Sequence, residues 1–274
     1  MRNRLSYWLL LLIVFSSASC TTALGAKPES LESPTRVLFV GNSYMYYNDS
    51  LHNHVKRIIE ELHLGLAGKL VFKSATIGGA RLKHHNIAWL LNHDAIGVDQ
   101  SFEVVVLQGG SSEVLQADTQ AIYQQTVKAY SELVRQAGAK PFLYMTPAYV
   151  PPYSRAKPGL IDVISHSTIT AANNAGIPVI PVGLAFEEAY KRKPEMMLHK
   201  DFDGSHPSLY GTYLAACVVY LSVYGGSLES LTYGYYGSIE PEVAGFLREV
   251  ASDVVRDFIK PEQIRPGDHL DLLD

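Results

Sequence analysis

With 274 residues, 47% of them hydrophobic and 18% charged, the chain is long and apolar enough for one large buried core, which excludes an extended low-complexity protein. A formal net charge of −4, with no basic run longer than Lys191, Arg192, Lys193, excludes an electrostatic nucleic-acid surface. The composition fits a small or uncharged substrate better than a nucleic acid.

Taken in chain order, the first segment reads as an export signal. Arg2 and Arg4 precede the apolar stretch Tyr7 to Phe15, and Ser16, Ser17, Ala18, Ser19 and Cys20 follow. The stretch falls short of the roughly 20 apolar residues that a bilayer-spanning helix requires. Residues 1–19 are therefore expected to be removed as a signal peptide. Small residues ahead of a single cysteine resemble the bacterial lipoprotein signal, in which that cysteine is lipidated and becomes the mature N-terminus. Cys20 is the candidate lipidation site, and an N-terminal lipid anchor is the expected membrane contact. Cleavage after Ala18 by ordinary signal peptidase is the alternative, and would give a secreted protein. The expected location is thus exported: periplasmic or membrane-tethered if lipidated. Residues 20–34, rich in Ala, Ser, Pro and Glu, read as a flexible tether, residues 35–260 as one domain, and residues 261–274 as a C-terminal tail.

Within the domain, short apolar runs at Val37–Val40, Leu70–Phe72, Val104–Leu107, Phe142–Met145 and Val179–Val182 predict strands. The run 104–107 is apolar throughout, as in strands covered on both faces. Leu51, Val55, Ile58, Ile59 and Leu62 recur at helical spacing, as do Leu247, Val250, Val254 and Phe258. A long helix is predicted between Gln116 and Gln136, with Gly138 beyond its end, and another over Leu209–Tyr220. Strand and helix alternate, which predicts an α/β fold: a three-layer α/β/α sandwich around a mostly parallel sheet. Cys217 lies in the apolar 209–220 stretch and reads as a buried small hydrophobe. With only one other cysteine, no disulfide framework is implied.

Open parallel sheets bind ligands at the carboxyl ends of their strands, so the polar residues after each run carry the functional argument. Gly41, Asn42 and Ser43 follow the first run, Gly78 and Gly79 the second, and Gln108, Gly109, Gly110 and Ser111 the third. Far downstream come Asp203, Gly204, Ser205, His206 and Pro207. A serine hydroxyl is a poor nucleophile at neutral pH. It needs an imidazole within hydrogen-bond reach, and the imidazole needs a carboxylate to hold its tautomer. Ser43, His206 and Asp203 supply the three types.

In the order and placing of these four blocks, residues 36–258 resemble the SGNH hydrolases, also called the GDSL esterase and lipase family. The resemblance implies a flavodoxin-like α/β/α fold and a serine ester hydrolase. It implies Ser43 as nucleophile, His206 as base and Asp203 as its partner, although the family's Asp and Leu are here Asn42 and Tyr44. It implies an oxyanion hole built from the backbone N–H of Ser43 and of Gly79, with Gly78 as the other candidate. The family's block III Asn is replaced, since Gly109, Gly110, Ser111 and Ser112 stand there. Ser111 through its hydroxyl, or Gln108 through its amide, is the candidate third donor. The esters implied are acetylated carbohydrates, lipids or thioesters, and export favours a carbohydrate O-acetyl esterase. The alternatives are a lipase or thioesterase of this type, and a catalytically silent carbohydrate-binding or surface interaction protein that keeps the fold.

No cofactor is implied. The chain lacks a phosphate-binding or dinucleotide-binding glycine motif, and His84, His85, His93 and Asp94 do not follow zinc-site spacing, so no metal is expected. Tyr44, Tyr46 and Tyr47 beside Ser43, and Tyr144, Tyr149 and Tyr153 after the fourth run, suit either an aromatic wall for a sugar ring or acyl chain, or core packing. Nothing in the sequence sets an oligomeric state.

Overall fold

The computed structural model of the protein describes residues 33–259. The expected signal peptide, most of the tether with Cys20, and the tail 261–274 lie outside the described residues.

Five strands, β1 (Arg36–Gly41), β2 (Val71–Thr76), β3 (Val104–Gln108), β4 (Lys140–Tyr144) and β5 (Val179–Ile180), form one sheet in the order β2-β1-β3-β4-β5. Every pairing is parallel. The helices are α1 (Ser43–Tyr46), α2 (Leu51–Leu62), α3 (Ile87–Leu91), α4 (Ala117–Gln136), α5 (Leu160–Ala175), α6 (Val182–Arg192), α7 (Leu209–Tyr224) and α8 (Pro241–Ile259).

Side chains of a strand alternate between faces, and here both faces are covered. Val37, Phe39, Val104 and Val106 pack with α2, α6, α7 and α8, while Leu38, Val40, Val105 and Leu107 pack with α3, α4 and α5. That is why the central strands carry unbroken apolar runs, and it makes the molecule the α/β/α sandwich expected. α7 is buried on all sides from Gly211 to Leu221, which accounts for its lack of a polar face. Cys217 sits inside it as a free buried thiol, and burial pushes its pKa up to about 12, so it is an unreactive packing residue.

Three details differ from the sequence reading. β2 runs on through Lys73, Ser74, Ala75 and Thr76, three of them polar and tolerated because this edge strand is only half-buried. β5 has two residues: Pro181 has no N–H to continue a ladder, and Val182 already opens α6. α1, α3, α5 and α6 had no counterpart among the elements predicted from the sequence. Among the described residues no helix is long and apolar enough to cross a membrane.

The strand order matters for function. The chain leaves β1 for β2 on one side and returns to β3 on the other, so a crevice opens above the β1 and β3 ends, the switch point where such sheets hold ligands.

Candidate active site

The turn after β1 is tight because its first residue has no side chain. A Cβ on Gly41 would run into the Gln108 carboxamide and lie 2.8 Å from Met45 Sδ. Asn42 caps α1, its Oδ1 accepting the Tyr44 N–H at 3.2 Å. Its Nδ2 donates to the Ala80 carbonyl at 2.9 Å, and its N–H donates to Gln108 Oε1, also at 2.9 Å. Ser43 thereby becomes the first residue of a helical turn directly above β1, 5% exposed.

Asp203 and His206 arrive on the segment 198–208, which is tied into a narrow loop. The Ser208 N–H donates to the Leu198 carbonyl at 2.9 Å, Lys200 N–H to His206 O at 2.7 Å, and Gly204 N–H to Lys200 O at 2.9 Å. Ser208 then caps α7 by accepting the Gly211 N–H. Gly204 is left-handed at φ +62°, and a Cβ there would collide with the Val150 carbonyl, so only glycine lets this loop lie against residues 150–151. The Val150 N–H closes the contact on Gly204 O at 2.9 Å.

The outcome is a hydrogen-bonded line. Asp203 Oδ2 lies 2.5 Å from His206 Nδ1, and His206 Nε2 lies 2.9 Å from Ser43 Oγ. A carboxylate can only accept, so Nδ1 carries the hydrogen and Nε2 offers its lone pair to the serine hydroxyl. Asp203 Oδ1 accepts the N–H groups of Ser205 and His206 at 2.8 and 2.9 Å. Partial burial pulls the Asp203 pKa up, but the His206 ring and these two N–H donors outweigh it and hold the carboxyl below its ordinary value.

Aromatic rings frame the imidazole. Tyr47 stacks on His206 with centroids 4.4 Å apart, and Tyr46 stacks on Tyr47 at 5.5 Å. Tyr46 is 41% exposed, as are Ile77 and Phe202 at 48% and 69%, on the loops that carry Gly79 and Asp203. Tyr44 instead turns inward, its hydroxyl 3.2 Å from Ser205 Oγ, and Tyr144 and Tyr149 are core residues. Tyr44, Tyr144 and Tyr149 thus serve core packing, while Tyr46 is exposed.

The sequence did not point to Asn48 or His54. Asn48, Asp49 and Ser50 all have positive φ, a costly conformation for three consecutive non-glycine residues. It is held from several sides. Asn48 Nδ2 donates to Pro207 O at 2.9 Å and to Thr212 Oγ1 at 2.8 Å, and buried His54 donates from Nε2 to Asn48 O at 2.7 Å. Arg57 pairs with Asp49 at 3.1 Å. These contacts fasten the β1 turn to the residue after His206.

Gly79 lies beyond β2 with φ +66°, exposed, and among the described residues no hydrogen bond takes its N–H or that of Ser43. Gly78 precedes it, and the Tyr46 hydroxyl lies 3.3 Å from where a Gly78 Cβ would be. Gln108 is fully buried and turned away from a donor role: its Oε1 takes the Asn42 N–H and its Nε2 donates to the Gly109 carbonyl. Ser111 opens a 310 turn, Ser111–Val114, at the end of β3, and its side chain lies outside the described part of the structure. Glu113, in the same turn, is buried and accepts the N–H groups of Gly110 and Leu82 on Oε2 at 2.6 and 3.1 Å. Its place three residues after Gly110 is half of a capping box, the one sequence signal that marks it.

Among the described residues no group of three His, Cys, Asp or Glu side chains is placed to hold a metal ion. His84 Nδ1 accepts the Arg81 N–H, and His93 donates from Nδ1 to Val98 O at 2.7 Å.

No family model and no curated protein matches this chain. Solved structures do. A DUF4886 family protein from Bacteroides uniformis is 18% identical, covering 84% of this chain and 96% of its own, with a TM-score of 0.63. A protein assigned to the SGNH hydrolases, from Slackia heliotrinireducens, is 24% identical over 69% of this chain and 98% of its own, with a TM-score of 0.53. A catalytic mutant of an acetylxylan esterase from Geobacillus stearothermophilus is 14% identical over 71% and 96%, with a TM-score of 0.54. With its five-stranded parallel sheet between helical layers, the chain has the SGNH hydrolase fold.

Proposed function

We propose that the chain is an exported serine ester hydrolase acting through Ser43, His206 and Asp203. The observation that carries this is the unbroken line from Asp203 through His206 to Ser43 above the β1 end. Ser43 Oγ attacks the ester carbonyl carbon while its proton passes to His206 Nε2. The tetrahedral intermediate collapses, the bond to the leaving oxygen breaks, and Nε2–H protonates the departing alcohol. Water then attacks the acyl-serine with its proton going to Nε2, and the carboxylic acid leaves as Ser43 regains its hydrogen. Asp203 holds the ring and offsets the imidazolium charge formed in each half. The N–H groups of Ser43 and Gly79, with Ser111, receive the developing oxyanion.

The preferred substrate class is the O-acetylated carbohydrate. It is supported by the acetylxylan esterases among the structures of like fold and by the exposed rings of Tyr46 and Phe202 beside the site, which suit the apolar face of a sugar. Export by way of residues 1–19, with Cys20 as lipid anchor, is part of the same proposal and would bring the enzyme to extracellular glycans. Release of a Cys20→Ser protein from the membrane fraction is expected, and an unchanged distribution would count against the anchor. A panel of acetylated xylan, acetylated monosaccharides, long-chain lipid esters and thioesters, run with wild type and Ser43→Ala, tests the function. Turnover of acetylated sugars that vanishes in Ser43→Ala is expected. Equal turnover in both proteins would refute the serine mechanism, and preference for long acyl chains would refute the substrate class.

A further inference from the structure

Glu113 is 1% exposed, and among the described residues no cation lies within ion-pair distance of it. Burial pushes its carboxyl above the ordinary range despite two backbone hydrogen bonds. A carboxyl retained in such a place costs stability that an apolar residue of the same size would not. What it touches gives the reason. Oε2 accepts the Gly110 N–H at 2.6 Å, on the turn after β3, and the Leu82 N–H at 3.1 Å, on the loop after β2. Neither amide belongs to a strand ladder or has a helical partner. Gly109 leaves no space for a side chain because Glu113 and Tyr123 fill it: a Cβ there would lie 2.9 Å from Glu113 Oε2 and 2.6 Å from Tyr123 Cε2.

Asn42 forms the other half of the bracket, bonded to Ala80 O in the β2 loop and to Gln108 at the β3 end. The ends of β1, β2 and β3 are therefore cross-tied below Gly79, which is bonded covalently to Ala80. We propose that Glu113 is a positioning residue for the oxyanion pocket, holding the Gly79 loop and the Gly110–Ser111 turn at fixed spacing so that backbone donors stand ready for the developing charge. This rests on the ester-hydrolase reading. It explains how the pocket is preorganised while the Asn42 and Gln108 side chains are engaged in tying the strand ends together.

The test uses the full chain with two substitutions. Glu113→Leu keeps volume and removes the acceptor, whereas Glu113→Gln keeps an oxygen able to take both N–H groups. With a small chromogenic acetate ester, Glu113→Leu is expected to lower kcat by roughly 10- to 100-fold, the scale of a misplaced catalytic geometry, with KM nearly unchanged. Glu113→Gln is expected to restore most of that loss. A leucine variant with wild-type kcat, or one in which only KM rises, would overturn the proposal, as would a glutamine variant no better than leucine. Amide hydrogen exchange in the wild-type protein gives a second readout that needs neither turnover nor a folded variant. Leu82 and Gly110 should be protected although they lie outside the regular ladders, and fast exchange at both would overturn the brace. Ser43→Ala is run alongside: absence of Ser43-dependent turnover refutes the hydrolase reading, while exchange at Leu82 and Gly110 still decides the brace.

Discussion

Both carboxylate oxygens of Asp203 serve one task, with Oδ2 on the imidazole and Oδ1 on two backbone N–H groups of its own loop. Asp203→Asn keeps the shape but presents an amide that can donate to Nδ1, which favours the tautomer with hydrogen on Nε2 and removes the base from Ser43. A fall in kcat of roughly three to four orders of magnitude is expected, with fold and KM retained. Loss of less than tenfold in steady-state assays would show that the carboxylate does not set the tautomer. At this scale the sequence was informative where chemistry restricts residue type. That Ser43, Asp203 and His206 stand in one hydrogen-bonded line was legible because few side-chain types can form such a line. Gln108 was misleading for the opposite reason: an amide at a strand end looks like an oxyanion donor until the fold shows it bonded to Asn42, 66 residues away in sequence, and to the Gly109 carbonyl. Asn48 and His54 act on backbone groups without a motif to mark them, and the half capping box that marks Glu113 does not reveal its second bond, to Leu82.

Among the elements, the loop 198–208 does most to position the site, since it brings His206 and Asp203 over β1. Its closure depends on Gly204 at positive φ against Val150. Gly204→Ala is expected to cost about 1–3 kcal/mol, from backbone strain and a blocked contact, and to reduce kcat by moving the Asp203 to His206 turn. Thermal unfolding and steady-state kinetics check it together, and unchanged values in both would show that the loop does not need this contact. The apolar strands β1 and β3 and the amphipathic α2 and α8 were readable because burial on two faces or one imposes a period. β2 was cut short because an edge strand keeps polar residues, and α5 escaped because its Ile, Val and Thr content carries strand propensity that packing against α4 overrides.

For the whole molecule, several buried imidazoles make stability depend on acid. His199 is 4% exposed, bonded through Nδ1 to the Tyr190 hydroxyl at 2.8 Å, and burial pushes its pKa down to about 4. Burial lowers His54 and His85 as well. The unfolded chain takes up these protons near the ordinary histidine value of about 6.5, whereas in the folded protein His199 resists until about 4 and His54 and His85 are lowered too, so the unfolded state binds more protons below about 6.5. Stability is therefore full above about pH 6.5 and falls as pH drops toward 4. The depressed Asp203 carboxyl acts with the same sign at still lower pH, its contribution being lost as pH falls through its folded value. Thermal scans across this window should show a decline in Tm that His199→Gln makes shallower, and parallel curves for the two proteins would contradict the assignment. The sandwich itself was legible from alternating periods. The closing of its β1, β2 and β3 ends into one bracket was not, because it is made by contacts between segments far apart in sequence.

The claim on which the rest depends is that His206 activates Ser43. Covalent labelling by a fluorophosphonate, read by intact mass and by mapping the modified peptide, addresses it directly. The wild-type protein should gain one adduct, located on Ser43, and His206→Ala should label far more slowly although its serine is intact. An adduct on another residue, or equal labelling of wild type and His206→Ala, would contradict the account.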